Sequence, residues 1–160
     1  MDVSQQELEA LVHRHAPAVY RLAYARTGSR ADAEDIMQET FLRFLRRAPV
    51  IRDEEHCRAW LLHTASNCAK SLFRRPKPLP LEEETAQVPA PEPEGVLEAV
   101  LALPEKYRAP VCLYYCEGYS TAEVARILGK KEATVRTWLF RARAMLRTML
   151  EEEGVQDVIS

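Results

Sequence analysis

Six of the ten prolines fall between residues 76 and 94 (Pro76, Pro78, Pro80, Pro89, Pro91 and Pro93), together with the run Glu82, Glu83, Glu84. Proline fixes φ and removes a backbone donor, and adjacent carboxylates repel one another. This stretch therefore cannot continue a helix or enter a central strand. It reads as an extended tether that divides the chain into two parts, each needing its own core. At ~3.1 Å per residue in polyproline II form, the tether spans up to about 60 Å.

Outside the tether the apolar residues repeat with helical period, and strand-like alternation and Gly-rich phosphate loops are lacking. Ser4 with Glu7 makes a capping box ahead of Leu8, Leu11 and Val12. A second helix is expected around Val19, Leu22 and Ala23, stopping at Gly28. Ser29 then caps a third, with the stripe Ile36, Met37, Thr40, Phe41, Phe44 and Leu45. Asp53 opens a fourth, with Cys57, Trp60, Leu61, Thr64, Ala65, Cys68 and Leu72 on one side. Beyond the tether, Val96, Leu97, Val100 and Leu101 mark a short helix ending near Leu103-Pro104. A further helix lies within 105–117, where Pro110 demands either a kink or a late start. The expected fold is all-α: a helical bundle over residues 1–75, a flexible linker over 76–95, a helix-turn-helix domain over 96–150 and an acidic tail over 151–160.

A formal net charge of −2 argues against a nucleic-acid partner, but the charge is unevenly spread. Residues 76–95 hold one Lys against five Glu, whereas residues 119–150 hold seven Lys or Arg against two Glu. The acidic linker and the run Glu151, Glu152, Glu153 thus mask a basic C-terminal module. No apolar run reaches the ~20 residues that span a bilayer. Asp2, Glu7 and Glu9 replace the basic start and apolar core of a signal peptide, so neither membrane insertion nor export is expected and the protein is placed in the cytoplasm. Cys57, Cys68, Cys112 and Cys116 lack metal-ligand spacing and read as buried free thiols. His13, His15, His56 and His63 are scattered, read as surface residues, and join no nucleophile-base pattern. No enzyme activity, metal or cofactor is expected.

The most specific pattern runs from Tyr119 to Arg143. Ser120 and Glu123 form a capping box, Val124, Ile127 and Leu128 give that helix a buried side, and Gly129 stops it. A second helix follows within about three residues, which is the helix-turn-helix arrangement, whose second helix enters the major groove. At 100° per residue Val135, Leu139, Ala142, Leu146 and Met149 share one side of this second helix, and Arg136, Thr137, Phe140, Ala144 and Arg147 share the other, flanked by Arg141. A ring amid cations suits duplex DNA: arginine bonds guanine or phosphate, threonine reaches either, and phenylalanine touches a thymine methyl. The alternative packs Phe140 on a neighbouring helix and leaves the arginines solvated.

The string EGYSTAEVARILGKKEATVRTWLFRARAMLR, Glu117–Arg147, resembles region four of sigma factors of the extracytoplasmic-function type. AEDIMQETFLRFL (33–45) and CRAWLLHTASNCAKSLFRR (57–75) resemble their region two, in the family's order. The resemblance implies a transcription initiation factor that binds core RNA polymerase and promoter DNA and is restrained by an anti-sigma factor. It places Lys130, Lys131, Thr134, Arg136, Thr137, Phe140 and Arg141 on the minus-thirty-five element. On the fourth helix it places His63, Asn67, Lys70, Ser71 and Arg74 on the minus-ten element. On the third, it places Asp35, Gln38, Glu39 and Leu42 on the polymerase.

The residues themselves support part of this. A leucine among acids suits docking on a basic partner helix, although a solvated face with a Glu39–Arg43 pair explains the same pattern. His63, Asn67, Lys70 and Arg74 line up opposite the Trp60 stripe, where asparagine suits adenine edges and the cations suit phosphate. Two positions depart from the family pattern: Ser71, where an acid or amide is common, and Ser66, where a basic residue is frequent. The loop Arg46–Glu55 holds no aromatic, so strand capture there relies on a pocket and not on a stacking ring. Two other readings compete: a helix-turn-helix regulator that binds an operator as a dimer, and an adaptor that binds protein alone.

Overall fold

The computed structural model describes residues 5–47, 50–74 and 95–152, except the side chains of 72–74. Ser4, the tether 76–94, Glu153 and the side chains of Leu72 and Arg74, all used above, lie outside the described residues. Every regular element among those described is helical, and the chain forms two compact units, Met1–Glu92 and Pro93–Ser160.

The first unit is a three-helix bundle in which α1 (Gln5–Thr27), α2 (Arg30–Arg47) and α3 (Glu54–Arg74) each pack on the other two. The two helices expected before Gly28 are one. Pro17 sits inside α1, and His15, Ala16, Ala18, Val19, Tyr20, Leu22, Ala23 and Ala25 around it are buried. An interior proline costs ~3 kcal/mol, which the burial of Val19 and Leu22 alone, at ~1.5–3 kcal/mol each, offsets. Gly28 ends the helix in a left-handed conformation (φ 67°), its N–H bonded to the Tyr24 carbonyl at 2.7 Å. Ser29 Oγ accepts from the Asp32 N–H at 3.2 Å and Asp53 Oδ1 from the His56 N–H at 2.8 Å, so both expected caps form.

Ile36, Met37, Thr40, Phe41 and Phe44 of α2 are buried as the stripe predicts, with Thr40 donating to the Ile36 carbonyl. Leu45 is not part of the core. It is 42% exposed, because Phe41 and Phe44 fill the seam with α1 and α3 and the next position turns outward. On α3, Cys57, Leu61, Leu62, Thr64, Ala65, Cys68 and Ala69 are buried, and the half-buried Trp60 stands edge-on to Phe44 with ring centres 5.5 Å apart.

His15 is likewise not a surface residue. It is 3% exposed, and its Nε2 lies 2.8 Å from Glu54 Oε1, while Arg14 holds the other Glu54 oxygen at 2.6 Å. Burial pushes its pKa below the ordinary histidine value, against the opposing pull of Glu54.

In the second unit α4 (Gly95–Leu101) buries Leu97 and Val100 and leaves Val96 outside. α5 (Glu105–Val111) starts directly after Pro104, so Pro110 does not delay it. The chain instead widens after the proline into a π turn, Cys112–Cys116, in which the Glu117 N–H reaches five residues back to the Cys112 carbonyl at 3.1 Å. α6 (Thr121–Leu128) and α7 (Glu132–Glu152) complete the unit, and α7 packs on both α5 and α6. None of the four cysteines is in a disulfide; three are buried and Cys116 is half-buried. Burial pushes the Cys57 and Cys68 thiols up, away from the reactive thiolate.

Candidate nucleic-acid interface

Local chemistry fixes the two helices of the motif. Ser120 Oγ accepts from the Glu123 N–H at 3.2 Å, and Glu123 Oε1 accepts from the Ser120 N–H at 2.9 Å, which completes the capping box. The Ser120 hydrogen bonds hold the Glu123 carboxyl below the usual range, so it stays ionised. Gly129 takes the left-handed conformation (φ 67°), and the Lys130 N–H returns to the Ala125 carbonyl at 2.9 Å, closing α6. A Cβ at Gly129 would meet open space, so it is the backbone angle, not crowding, that selects glycine.

α7 sorts its residues as the 100° rotation predicts. Val135, Leu139, Ala142 and Leu146 are buried, and Met149 is half-buried. On the opposite side Phe140 is 72% exposed, and Arg136, Thr137, Arg141, Ala144 and Arg147 are exposed with it. The alternative that packs Phe140 on a neighbouring helix is therefore wrong. Lys130 and Lys131 are exposed in the turn, and Thr134 is half-buried. Thr137 donates its hydroxyl to the Ala133 carbonyl at 3.0 Å, which leaves its methyl and the acceptor side of its oxygen outward.

Three features of this unit were not foreseen. Arg126 of α6 is exposed. Arg143 points away from the basic face: its Nε donates to the Tyr115 hydroxyl at 2.5 Å and its guanidinium stacks 6.0 Å from that ring, pinning the π turn to α7. Glu132, the first residue of α7, accepts from Thr121 Oγ1 at 2.7 Å and lies 3.1 Å from Arg136 Nη2. The i,i+4 spacing of Glu132 and Arg136 was visible in the sequence. The tertiary partners Thr121 and Tyr115 were not.

The expected strip on α3 is present and narrow. His63 is exposed, and Asn67, Lys70 and Ser71 are half-buried. Asn67 Nδ2 and His63 Nε2 lie 3.2 Å apart, so each orients the other. Ser66, next to Asn67, is buried and accepts from Arg26 Nη1 at 3.0 Å. That departure from the family pattern is thus an internal contact with α1.

On α2, Asp35, Gln38 and Leu42 are exposed, Leu42 at 45%, and Glu39 is half-buried. Glu39 pairs with Arg43 at 2.9 Å, as the spacing predicts, and with Arg46 at 3.6 Å. Leu45 stands three residues beyond Leu42 on α2 and is also exposed, which extends the apolar part of this surface. Among the described residues no group of His, Cys, Asp and Glu is placed to hold a metal ion, and no helix is long and apolar enough to cross a membrane.

Comparison with known proteins matches both units. A family model for sigma-70 region 2 matches residues 11–77, and one for sigma-70, region 4 matches residues 94–146. The ECF RNA polymerase sigma factor SigE of Mycolicibacterium smegmatis is 37% identical, over 91% of this chain and 62% of that protein. The ECF RNA polymerase sigma factor SigL of Mycobacterium tuberculosis is 35% identical, over 92% of this chain and 91% of that protein. Among solved structures, the sigma factor RpoE of Bartonella quintana, in complex with the anti-sigma factor NepR, aligns with a TM-score of 0.67 at 21% identity, covering 92% of this chain and 96% of that one. CnrH, in complex with the cytosolic domain of CnrY, aligns with a TM-score of 0.65 at 26% identity, covering 93% of this chain and 90% of that one. Relatives of this kind favour a sigma factor over a dimeric operator-binding regulator. With two regions in the family's order and a relative matched along nine-tenths of both chains, this chain belongs to the extracytoplasmic-function RNA polymerase sigma factors.

Proposed function

We propose that this sigma factor reads the minus-thirty-five element with the outer face of α7, the minus-ten element with the narrow strip of α3, and core RNA polymerase with the outer face of α2. The observation that carries the proposal is the exposed Phe140 ring among Arg136, Thr137 and Arg141, directly opposite a buried stripe. Exposing a large ring to water wastes apolar burial unless a partner covers it, and a major groove supplies both thymine methyls for the ring and acceptors for the arginines. Lys130, Lys131 and Arg126 suit flanking phosphates, which fix register without reading sequence.

On α3, Asn67 is the base-reading group, held by His63. Lys70 and Arg74 supply phosphate contacts, and Ser71 borders them. On α2, Leu42 and Leu45 form an apolar centre rimmed by Asp35, Gln38 and Glu39, a pattern suited to a basic helix of the polymerase. These faces support assigning residues 1–75 to polymerase and minus-ten binding and 96–150 to the minus-thirty-five element, with 76–94 joining them.

Two modest contacts joined through polymerase and tether become effective because the second is intramolecular. The free chain binds DNA weakly by the same logic, since the acidic linker opposes the phosphate backbone. A protein regulator, an anti-sigma factor, covers one or more of these faces, as the solved complexes of related chains support. The site of action is the cytoplasm, where polymerase and promoter are, and the role is initiation and not catalysis.

Reconstitution tests this. Core polymerase with the full chain should protect two promoter segments from nuclease. Arg136→Ala with Arg141→Ala should abolish the upstream protection and leave binding to core intact. An adaptor that needs no nucleic acid would keep directing transcription after both changes.

A further inference from the structure

Glu132 is an unexpected residue to find at the start of a helix that meets phosphate. A carboxylate there suits the helix dipole, but it repels every duplex regardless of sequence. Its two oxygens are committed to different parts of the motif. Oε2 accepts from Thr121 Oγ1 at 2.7 Å, and Thr121 is the first residue of α6. Oε1 lies 3.1 Å from Arg136 Nη2, one turn along α7. In an ordinary i,i+4 pair both side chains swing together and fix little. Here the acid is anchored on a second helix and cannot follow the arginine. The Thr121 hydroxyl first, then Arg136, holds the carboxyl below the usual range, so the anchor stays charged at neutral pH. Arg136 nevertheless keeps 63% of its side chain open to solvent, so the restraint aims the guanidinium without hiding it.

Resting on the reading of α7 as the DNA-reading helix, we infer that Glu132 is a positioning residue for specificity: anchored by Thr121, it aims Arg136 at one base pair and disfavours unrelated duplex. A restrained guanidinium loses less side-chain freedom on forming its paired bonds to guanine, which rewards the matched base alone. The negative charge lowers attraction to phosphate at every site. The restraint acts on the ratio between right and wrong sequence, while the charge lowers both affinities, so the matched duplex recovers what the unrelated duplex only loses.

The test uses the full chain bound to core polymerase. The probes are a promoter fragment selected from random duplex by the wild-type complex, the same fragment with its upstream base pairs replaced one at a time, and an unrelated duplex. Glu132→Gln should bind the unrelated duplex about 2–3-fold more tightly. It should also lose about 5–10-fold of discrimination, at the base pair where Arg136→Ala also relaxes the preference. Thr121→Val should shift both in the same directions by less, and Thr121→Ser, which keeps the hydroxyl, should restore them.

A residue that merely stitched the two helices together would lower both affinities alike, and that result overturns the inference. So does unchanged discrimination in Glu132→Gln while Arg136→Ala loses it, an outcome that leaves the role of α7 standing. If Arg136→Ala itself discriminates normally, the reading of α7 falls and this inference falls with it. Should Glu132→Gln fail to fold, the contrast between Thr121→Val and Thr121→Ser decides: a difference in discrimination supports the anchor, and equality rejects it.

Discussion

α7 and α3 carry the two surfaces assigned to DNA, and they are built on different terms. α7 buries one stripe, Val135, Leu139, Ala142 and Leu146, and leaves a broad outer face with an exposed ring. α3 packs on two long helices, so Leu61, Leu62, Thr64, Ala65, Ser66, Cys68 and Ala69 all face inward, and only a thin polar strip remains. A wide exposed face can announce itself, because an aromatic among cations has no explanation in solvation. A thin strip of His, Asn, Lys and Ser is what any bundle helix shows to water, and its meaning comes from the family match.

On both helices one step along the sequence separates a core residue from one proposed to read DNA, and four substitutions probe that step. Leu139→Ala removes a buried side chain and should cost ~2–5 kcal/mol in denaturant unfolding of the full chain, whereas Phe140→Ala should stay within ~0.5 kcal/mol of wild type. Equal costs would mean the two faces of α7 are not distinct. On α3, Asn67→Ala should leave stability in place and weaken promoter binding by polymerase by ~1–3 kcal/mol. Its neighbour Ser66→Ala should do the reverse: loss of the Arg26 bond costs ~0.5–1.5 kcal/mol of stability, with promoter preference unchanged. A change of minus-ten preference in Ser66→Ala would erase the distinction.

The smallest effect sharpens the comparison from inside the first unit. His15 has its folded-state pKa lowered by burial, so between its ordinary value, about 6.5, and the lower folded value the unfolded chain binds the extra proton. Stability of the full chain should therefore fall as pH drops through that window, and His15→Gln should flatten the slope. Glu54, whose carboxyl Arg14 holds below its ordinary value, adds its own loss of stability as pH falls further. A slope identical in His15→Gln would show that the buried imidazole does not report on the bundle.

The division of the chain, the caps at Ser29, Asp53 and Ser120, the stop at Gly129 and the inner stripe of α7 were legible because each depends on residues within a few positions of one another. The errors lie where a distant partner decides. Two helices are expected before Gly28, yet α1 runs unbroken through Pro17, with buried residues on both sides of it. Leu45 fits the α2 stripe by period, yet the phenylalanines before it already fill the seam. His15 looks like a surface histidine until α3 brings Glu54 against it. Pro110 suggests a kink or a late start, but α5 runs through it, and the π turn that follows is pinned by Arg143 and Tyr115, 28 residues apart. The same holds for the candidate site. The members of the α7 face were visible by rotation, and the Thr121–Glu132 hydrogen bond beside Arg136 was not.

Nuclease footprinting of the wild-type and Phe140→Ala chains, each bound to core polymerase on a selected promoter fragment, bears most directly on the claim that the α7 face reads duplex. Phe140→Ala should still assemble with core polymerase while protection of the upstream segment is lost or sharply weakened. Full upstream protection by an assembled Phe140→Ala complex would contradict that claim.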